Sequence, residues 1–153
     1  MNVLNAILNN YVLVCSMLGW LIASVAKIII ALIREKRFMF RKLFSSGGMP
    51  SSHSATVSSL AAAVAIKDGL ESTTFALSFM FAFIVMYDAS GVRRAAGEQA
   101  RILNQLVNNL SENKPVYWKK NLKELIGHTP LEVVVGCLLG ILIALVLPYF
   151  WKI

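Results

Sequence analysis

The chain has 153 residues, of which 57% are hydrophobic and only 15% charged, where an ordinary soluble domain carries about 25% charged residues. With a mean hydropathy of +0.64, a chain this short has too much surface per volume to hide its apolar side chains from water. Disorder needs low hydrophobicity, and a disulfide scaffold needs more than the two Cys present. What remains is an all-α integral membrane protein, read as one domain over residues 1–153.

The net charge of +7 comes from 15 Lys and Arg against 8 Asp and Glu. In an apolar chain this excess is read as membrane topology and attraction to anionic headgroups, not as nucleic-acid binding. Tyr11 to Ile33 is the first apolar run, and Lys27 is its one charge. Its length suits a bilayer core, which takes about 20 helical residues. No Lys or Arg precedes it, so a cleaved signal peptide is not expected. Cys15, in this run, and Cys137, in the last one, read as buried small hydrophobes, and no spacing resembles a metal site.

Apolar stretches from about Ser52 to Ile66 and from Thr73 to Tyr87 are separated by Lys67-Asp68-Gly69-Leu70-Glu71. That punctuation predicts a helical hairpin with a tight turn. Leu131 to Trp151 is a final uninterrupted run. The expected architecture is about four transmembrane helices plus one or two amphipathic interfacial helices. In the long connection, Val92, Ala96, Gln99, Leu103, Leu106 and Leu110 follow helical spacing, with Ser90 expected as N-cap. Residues 117–126 predict a short basic interfacial helix that ends at Gly127.

Segments 34–52 and 88–130 hold 12 of the 15 cations. With four spans they share one side, which the positive-inside rule makes cytoplasmic, leaving both termini outside. The expected location is therefore the cell membrane, multi-pass, with the membrane as partner and homo-oligomerisation left open.

Both histidines stand just before apolar spans on that same side. His53 lies in Gly47-Gly48-Met49-Pro50-Ser51-Ser52-His53-Ser54, and His128 in Gly127-His128-Thr129-Pro130-Leu131-Glu132. Helix N-termini attract phosphate-like anions. Gly48 would let backbone approach a ligand, and the hydroxyls of Ser51 and Ser52 would donate to its oxygens; a loop with a Ser N-cap explains the same residues. Arg93 and Arg94 begin a helix at the unfavourable end of its dipole, at roughly 0.3–1 kcal/mol each. A bound anion, Asp88 or lipid headgroups would each offset that. Lys27 is costly inside a span and reads as functional or as snorkelling to the interface; Arg34 follows two turns later on the same face. Glu132 either completes a capping box with Thr129 or holds the His128 ring and sets its tautomer.

These motifs, together with Tyr-Asp-Ala-Ser-Gly-Val-Arg-Arg-Ala-Ala-Gly-Glu-Gln at 87–99, resemble the divergent PAP2 family, related to acid phosphatases and vanadium-dependent haloperoxidases. The likeness runs from about Lys27 to the end. The wider superfamily carries Lys-x6-Arg-Pro, Pro-Ser-Gly-His and Ser-Arg-x5-His-x3-Asp. Here Lys27 and Arg34 match the first with Glu35 for Pro. Pro50-Ser51-Ser52-His53 matches the second with Ser52 for Gly, and His128 with Glu132 matches the end of the third. Leu122 stands where that motif has Arg, so Arg93 or Arg94 would have to supply the cation.

The resemblance implies a phosphatase acting on a lipid or isoprenoid phosphomonoester. His128 would form a phosphohistidine, Glu132 would orient it, and His53 would serve as general acid and base. Lys27, Arg93, Arg94 and the helix N-termini would bind the phosphoryl oxygens, and the mechanism calls for no metal or other cofactor. The departures motivate a second reading, a non-catalytic headgroup-binding or assembly protein; vanadate chemistry suits a bilayer site less well. Lys27, His53, Arg94 and His128 are expected to converge at one face, with Arg94 rather than Arg93 pointing inward.

Overall fold

The computed structural model describes residues 2–36, 48–111, 122 and 127–150. Six α-helices follow in order: α1 (Val3–Leu8), α2 (Tyr11–Glu35), α3 (Ser52–Asp68), α4 (Thr73–Ser90), α5 (Val92–Ser111) and α6 (Pro130–Val146), with a 3-10 turn at Leu147–Tyr149. Local chemistry sets most of these bounds. The Asn10 side chain accepts from the Leu13 amide to open α2, and Ser72 does the same for Phe75 in α4. The expected hairpin turn closes α3 at Gly69, whose φ of +88° suits a residue without Cβ. Across that turn the Thr74 hydroxyl donates to Asp68 Oδ2 at 2.8 Å.

Among the described residues, three stretches are long and apolar enough to cross a membrane: Tyr11–Ile33, Thr73–Asn108 and Pro130–Tyr149. The fourth expected span, α3, is shorter at 17 residues and rich in Ser. The physical reason is its position. It packs against α2, α4 and α6, so protein surrounds much of it, and Ser52, Ser54, Ala55, Ser58, Ser59, Ala61 and Ala63 are all buried. A helix so enclosed needs small side chains more than lipid-soluble ones, since helix association in a bilayer rests on close packing.

Glycines on the neighbours make that approach feasible. A Cβ on Gly19 of α2 would strike the Ser59 hydroxyl and lie 2.8 Å from the Ala55 carbonyl oxygen. On α6, a Cβ at Gly136 would meet the Ser51 carbonyl, and one at Gly140 the Ala55 carbonyl and the Ser58 hydroxyl. These contacts also fix direction. The Ser51 amide donates to the Glu132 carbonyl at 3.1 Å, while Ala63 and Ala144 meet in one cluster with Tyr11 and Cys15 at the opposite end. There the Tyr11 hydroxyl donates to the Ala144 carbonyl at 2.9 Å. Thus α3 and α6 run parallel and α2 antiparallel to them. On its other side α3 meets α4 through Val57, Ala61 and Ala82.

One expected boundary differs. Ser90 is not an N-cap: it is the last residue of α4, and its hydroxyl donates back to the Met86 carbonyl at 3.0 Å. The Gly91 amide bonds Tyr87 and the Ala95 amide bonds Gly91, so α4 runs almost directly into α5. At 1.5 Å per residue, the 36 residues from Thr73 to Asn108 would extend about 54 Å, well past a hydrocarbon core of about 30 Å. The charged residues Arg93, Arg94, Glu98 and Arg101 occupy the part beyond α4. The expected interfacial helix at 117–126 lies outside the described residues except for Leu122, whose amide and carbonyl both bond the Asn104 side chain.

Replacing Gly140 with Val places carbon against backbone of α3, which cannot move aside. Thermal unfolding in detergent should show a loss of at least about 1–3 kcal/mol. Leu142→Val, at a position 56% exposed, should stay within about 0.5 kcal/mol.

Candidate active site

Four chain segments meet at one end of the bundle because α3 and α6 begin there while α2 and α4 finish there. His53 sits in the first turn of α3. Its N-terminus is capped by Ser51, whose hydroxyl accepts from the Ser54 amide at 3.3 Å and from the Ser54 hydroxyl at 3.0 Å. Ser51 is fully buried, so its hydroxyl performs the capping role that the sequence offered beside phosphate binding. Ser52 is also buried, and its carbonyl accepts from the Thr56 hydroxyl at 2.7 Å.

His128 stands just before α6 and is 1% exposed. Its amide donates to the Ala89 carbonyl at the end of α4, 3.0 Å away. Its Nδ1 lies 3.1 Å from Glu132 Oε2. The same oxygen accepts the Thr129 amide at 3.1 Å, while the Thr129 hydroxyl accepts the Glu132 amide. The two readings of Glu132 are therefore not alternatives: one carboxylate oxygen completes the capping box and holds the imidazole. With Nδ1–H donated to a carboxylate, Nε2 carries the lone pair. That Nε2 is buried and has no hydrogen-bond partner among the described residues, and the same is true of His53 Nδ1. The two rings meet edge to face with centroids 5.8 Å apart.

The cations come from two helices. Lys27 of α2 is 3% exposed, and its stem crosses Gly48, where an added Cβ would lie 3.4 Å from Lys27 Cγ. Gly48 thus makes room for the lysine. The Lys27 charge is felt at His53, His128 and Glu132. Arg93, in the first turn of α5, donates from Nε to Asp88 Oδ2 at 2.9 Å and lines a cavity with His53, Asp88 and Ala89. Arg93 also acts electrostatically on both histidines.

The structure reverses the expected order of the arginine pair. Arg93, not Arg94, lies on the cavity wall. The backbone of Arg94 is instead packed on Gly127, where a Cβ would fall 2.7 Å from Arg94 Cα and 2.9 Å from the Arg93 carbonyl carbon. Gly91, with φ −105° and ψ −81°, joins the two helices, and Arg93 two residues beyond it is held by Asp88 in the last turn of α4. The Arg34 side chain lies outside the described residues. Sequence reasoning left the part of Asp88 open, and its signal was the acid placed five residues before Arg93. It read Gly127 as the end of the interfacial helix and not as a contact with Arg94, and it passed over the Gly136–Gly140 pair, which had a readable signal in its four-residue spacing within an apolar helix.

Burial is the largest influence on His128 and holds its pKa below the ordinary 6.5. The Glu132 hydrogen bond opposes this, while the Lys27 and Arg93 charges add to it. The result is a buried, oriented imidazole that stays neutral at pH 7, beside a second imidazole and two cations. That is a site suited to nucleophilic and acid–base chemistry on an anion.

The chain matches the Divergent PAP2 family over residues 8–143, and it belongs to that family. It is 44% identical to the uncharacterized membrane protein YuiD of Bacillus subtilis, an alignment covering 95% of this chain and 98% of that protein. No solved structure matches the chain.

Nitrogen NMR of the imidazoles should show His128 titrating below 6.5. Glu132→Gln removes an influence that raises the pKa, so the midpoint should move lower still; Lys27→Met should move it upward. An unchanged midpoint in both variants would contradict this electrostatic account.

Proposed function

We propose that this protein is a membrane phosphatase that hydrolyses a lipid or isoprenoid phosphomonoester through a phosphohistidine. The observation that carries the reading is the state of His128: Nδ1 held by Glu132, Nε2 buried and unpartnered, and His53 5.8 Å away between ring centres. The Nε2 lone pair attacks phosphorus and the ester P–O bond breaks. His53 gives its proton to the departing alkoxide oxygen. The positive charge left on the phosphorylated ring is balanced by Glu132. Water then attacks phosphorus, the P–N bond breaks, inorganic phosphate leaves, and the water's proton returns to His53. Lys27, Arg93 and the amides opening α3 and α6 hold the phosphoryl oxygens while charge redistributes.

The basic segments around the site put this face on the cytoplasmic side in our reading, with both termini outside. A second reading, a headgroup binder without turnover, draws on Leu122, which stands where the superfamily motif has Arg and which bonds Asn104 through its backbone. It predicts binding that survives loss of His128.

Purified protein should release phosphate from lipid phosphates, and His128→Ala should abolish that release. His53→Ala should cost about 10²–10⁴ in turnover on an alkyl ester, and much less in phosphoryl-enzyme formation from a p-nitrophenyl ester, whose leaving group needs no proton. Arg93→Lys should impair turnover because a point charge cannot replace the planar fork, while Arg94→Lys should be nearly silent. Equal turnover by wild type and His128→Ala would refute the phosphatase reading.

A further inference from the structure

The cavity that contains His53, Asp88 and Arg93 extends away from them into the apolar part of the bundle. Its volume is about 580 Å³, within the roughly 300–1,000 Å³ typical of small-molecule sites. Trp20 of α2 forms one wall and Phe81, Ile84 and Val85 of α4 the other, with Thr56 and Val57 of α3 as floor. The furrow exists because α2 and α4 each pack on α3 but share no extended interface. Its polarity is graded. The carboxylate, guanidinium and imidazole lie at one end, and below them the Thr56 hydroxyl proton is committed to the Ser52 carbonyl. Phe81 and Ile84 are more than half exposed, so the furrow opens sideways toward lipid.

The geometry points to a tail groove that receives a hydrocarbon chain of a lipid phosphomonoester, with the phosphate held at the His53–Arg93 end. This rests on the phosphate-handling reading of the site and adds where the tail of the substrate lies. Seven residues of α4 separate Asp88 from Phe81, about 10 Å of helix, or about a third of a 30 Å hydrocarbon core. The groove therefore grips the head-proximal part of the chain and leaves the rest in the bilayer. Two other apolar clefts adjoin α4: one of about 270 Å³ lined by Phe79, Phe83, Cys137 and Ile141, and one of about 340 Å³ lined by Met86, Tyr87, Val133 and Leu138. Neither contains His53, Asp88 or Arg93, so of the three the furrow between α2 and α4 is the one continuous with the site. Lipid tails are already in an apolar solvent, so the groove orients the ester against His128 more than it drives binding.

Two measurements test this. In phosphatidylcholine nanodiscs, a non-hydrolysable alkyl phosphonate carrying a diazirine in the head-proximal part of its chain should label Trp20, Phe81 and Ile84. Dodecyl phosphate should displace it and ethyl phosphate should not. Labelling spread equally over Leu138 and Leu142, or equal displacement by ethyl phosphate, overturns the groove. In turnover, Thr56→Phe fills the floor and Trp20→Ala removes a wall. Each should lower the ratio of kcat/KM for dodecyl phosphate to that for ethyl phosphate at least tenfold. Phosphate release with an unmoved ratio and scattered label sinks the groove and leaves the phosphatase standing. Groove-specific labelling with no release from any ester keeps the groove and sinks the phosphatase.

Discussion

The close approach of α3 to the glycine faces of α2 and α6 is the contact on which everything else depends. In a bilayer, apolar surface gains little by leaving lipid, so helices associate where backbones come near and packing is dense. Gly19, Gly136 and Gly140 permit that nearness, and the Ser and Ala residues of α3 match it. The consequence is registry. With the Ser51 amide bonded to the Glu132 carbonyl, the first turns of α3 and α6 stand side by side. The two histidines that precede and open those helices are then neighbours rather than residues seventy-five positions apart.

His128 is held from several directions, each by an ordinary interaction. The Ala89 carbonyl fixes its amide, Glu132 fixes its ring, and the lack of a Cβ on Gly127 lets the chain pass close to the Arg93–Arg94 backbone. An imidazole pinned this way cannot turn to satisfy Nε2, which stays buried without a partner among the described residues. Buried polar atoms usually find partners, and exceptions concentrate where chemistry is done. The charge arrangement points the same way. Lys27 and Arg93 sit beside the positive ends of two helices, and Glu132 and Asp88 are each engaged, one with His128 and the other with Arg93. The remaining field favours an anion.

Membership of the divergent PAP2 family and likeness to a membrane protein of Bacillus subtilis agree with the apolar helices and with the grouping of His53, His128 and Glu132. The departures from the wider superfamily acquire structural meaning. Ser52, in place of Gly, is a buried first-turn residue whose carbonyl bonds Thr56, and Glu132 spans the distance to the imidazole that the motif assigns to Asp. Asp88 holds Arg93 on the cavity wall, which offers a route by which a cation from the α4–α5 junction serves the site.

By itself the sequence determined the class of protein, the hairpin about Gly69 and the helix starts at Ser51 and Thr129. Each depends on hydropathy or on hydrogen bonds between residues three or four apart, and such information is local. It also marked His53, His128, Lys27 and Glu132 as a set, because charged and titratable groups are conspicuous in an apolar chain. Tertiary structure decided what depends on rotation and distance between helices. Ser90 could not be recognised as the end of α4, rather than the start of α5, without knowing that Gly91 alone separates the two helices, and it is Asp88 of α4 that holds Arg93 on the cavity wall. The two parts of Glu132 merged because one oxygen lies within 3.1 Å of both the His128 ring and the Thr129 amide. The shortness of α3 likewise makes sense only once its neighbours are in place, since a helix enclosed by protein is chosen for fit and not for solubility in lipid.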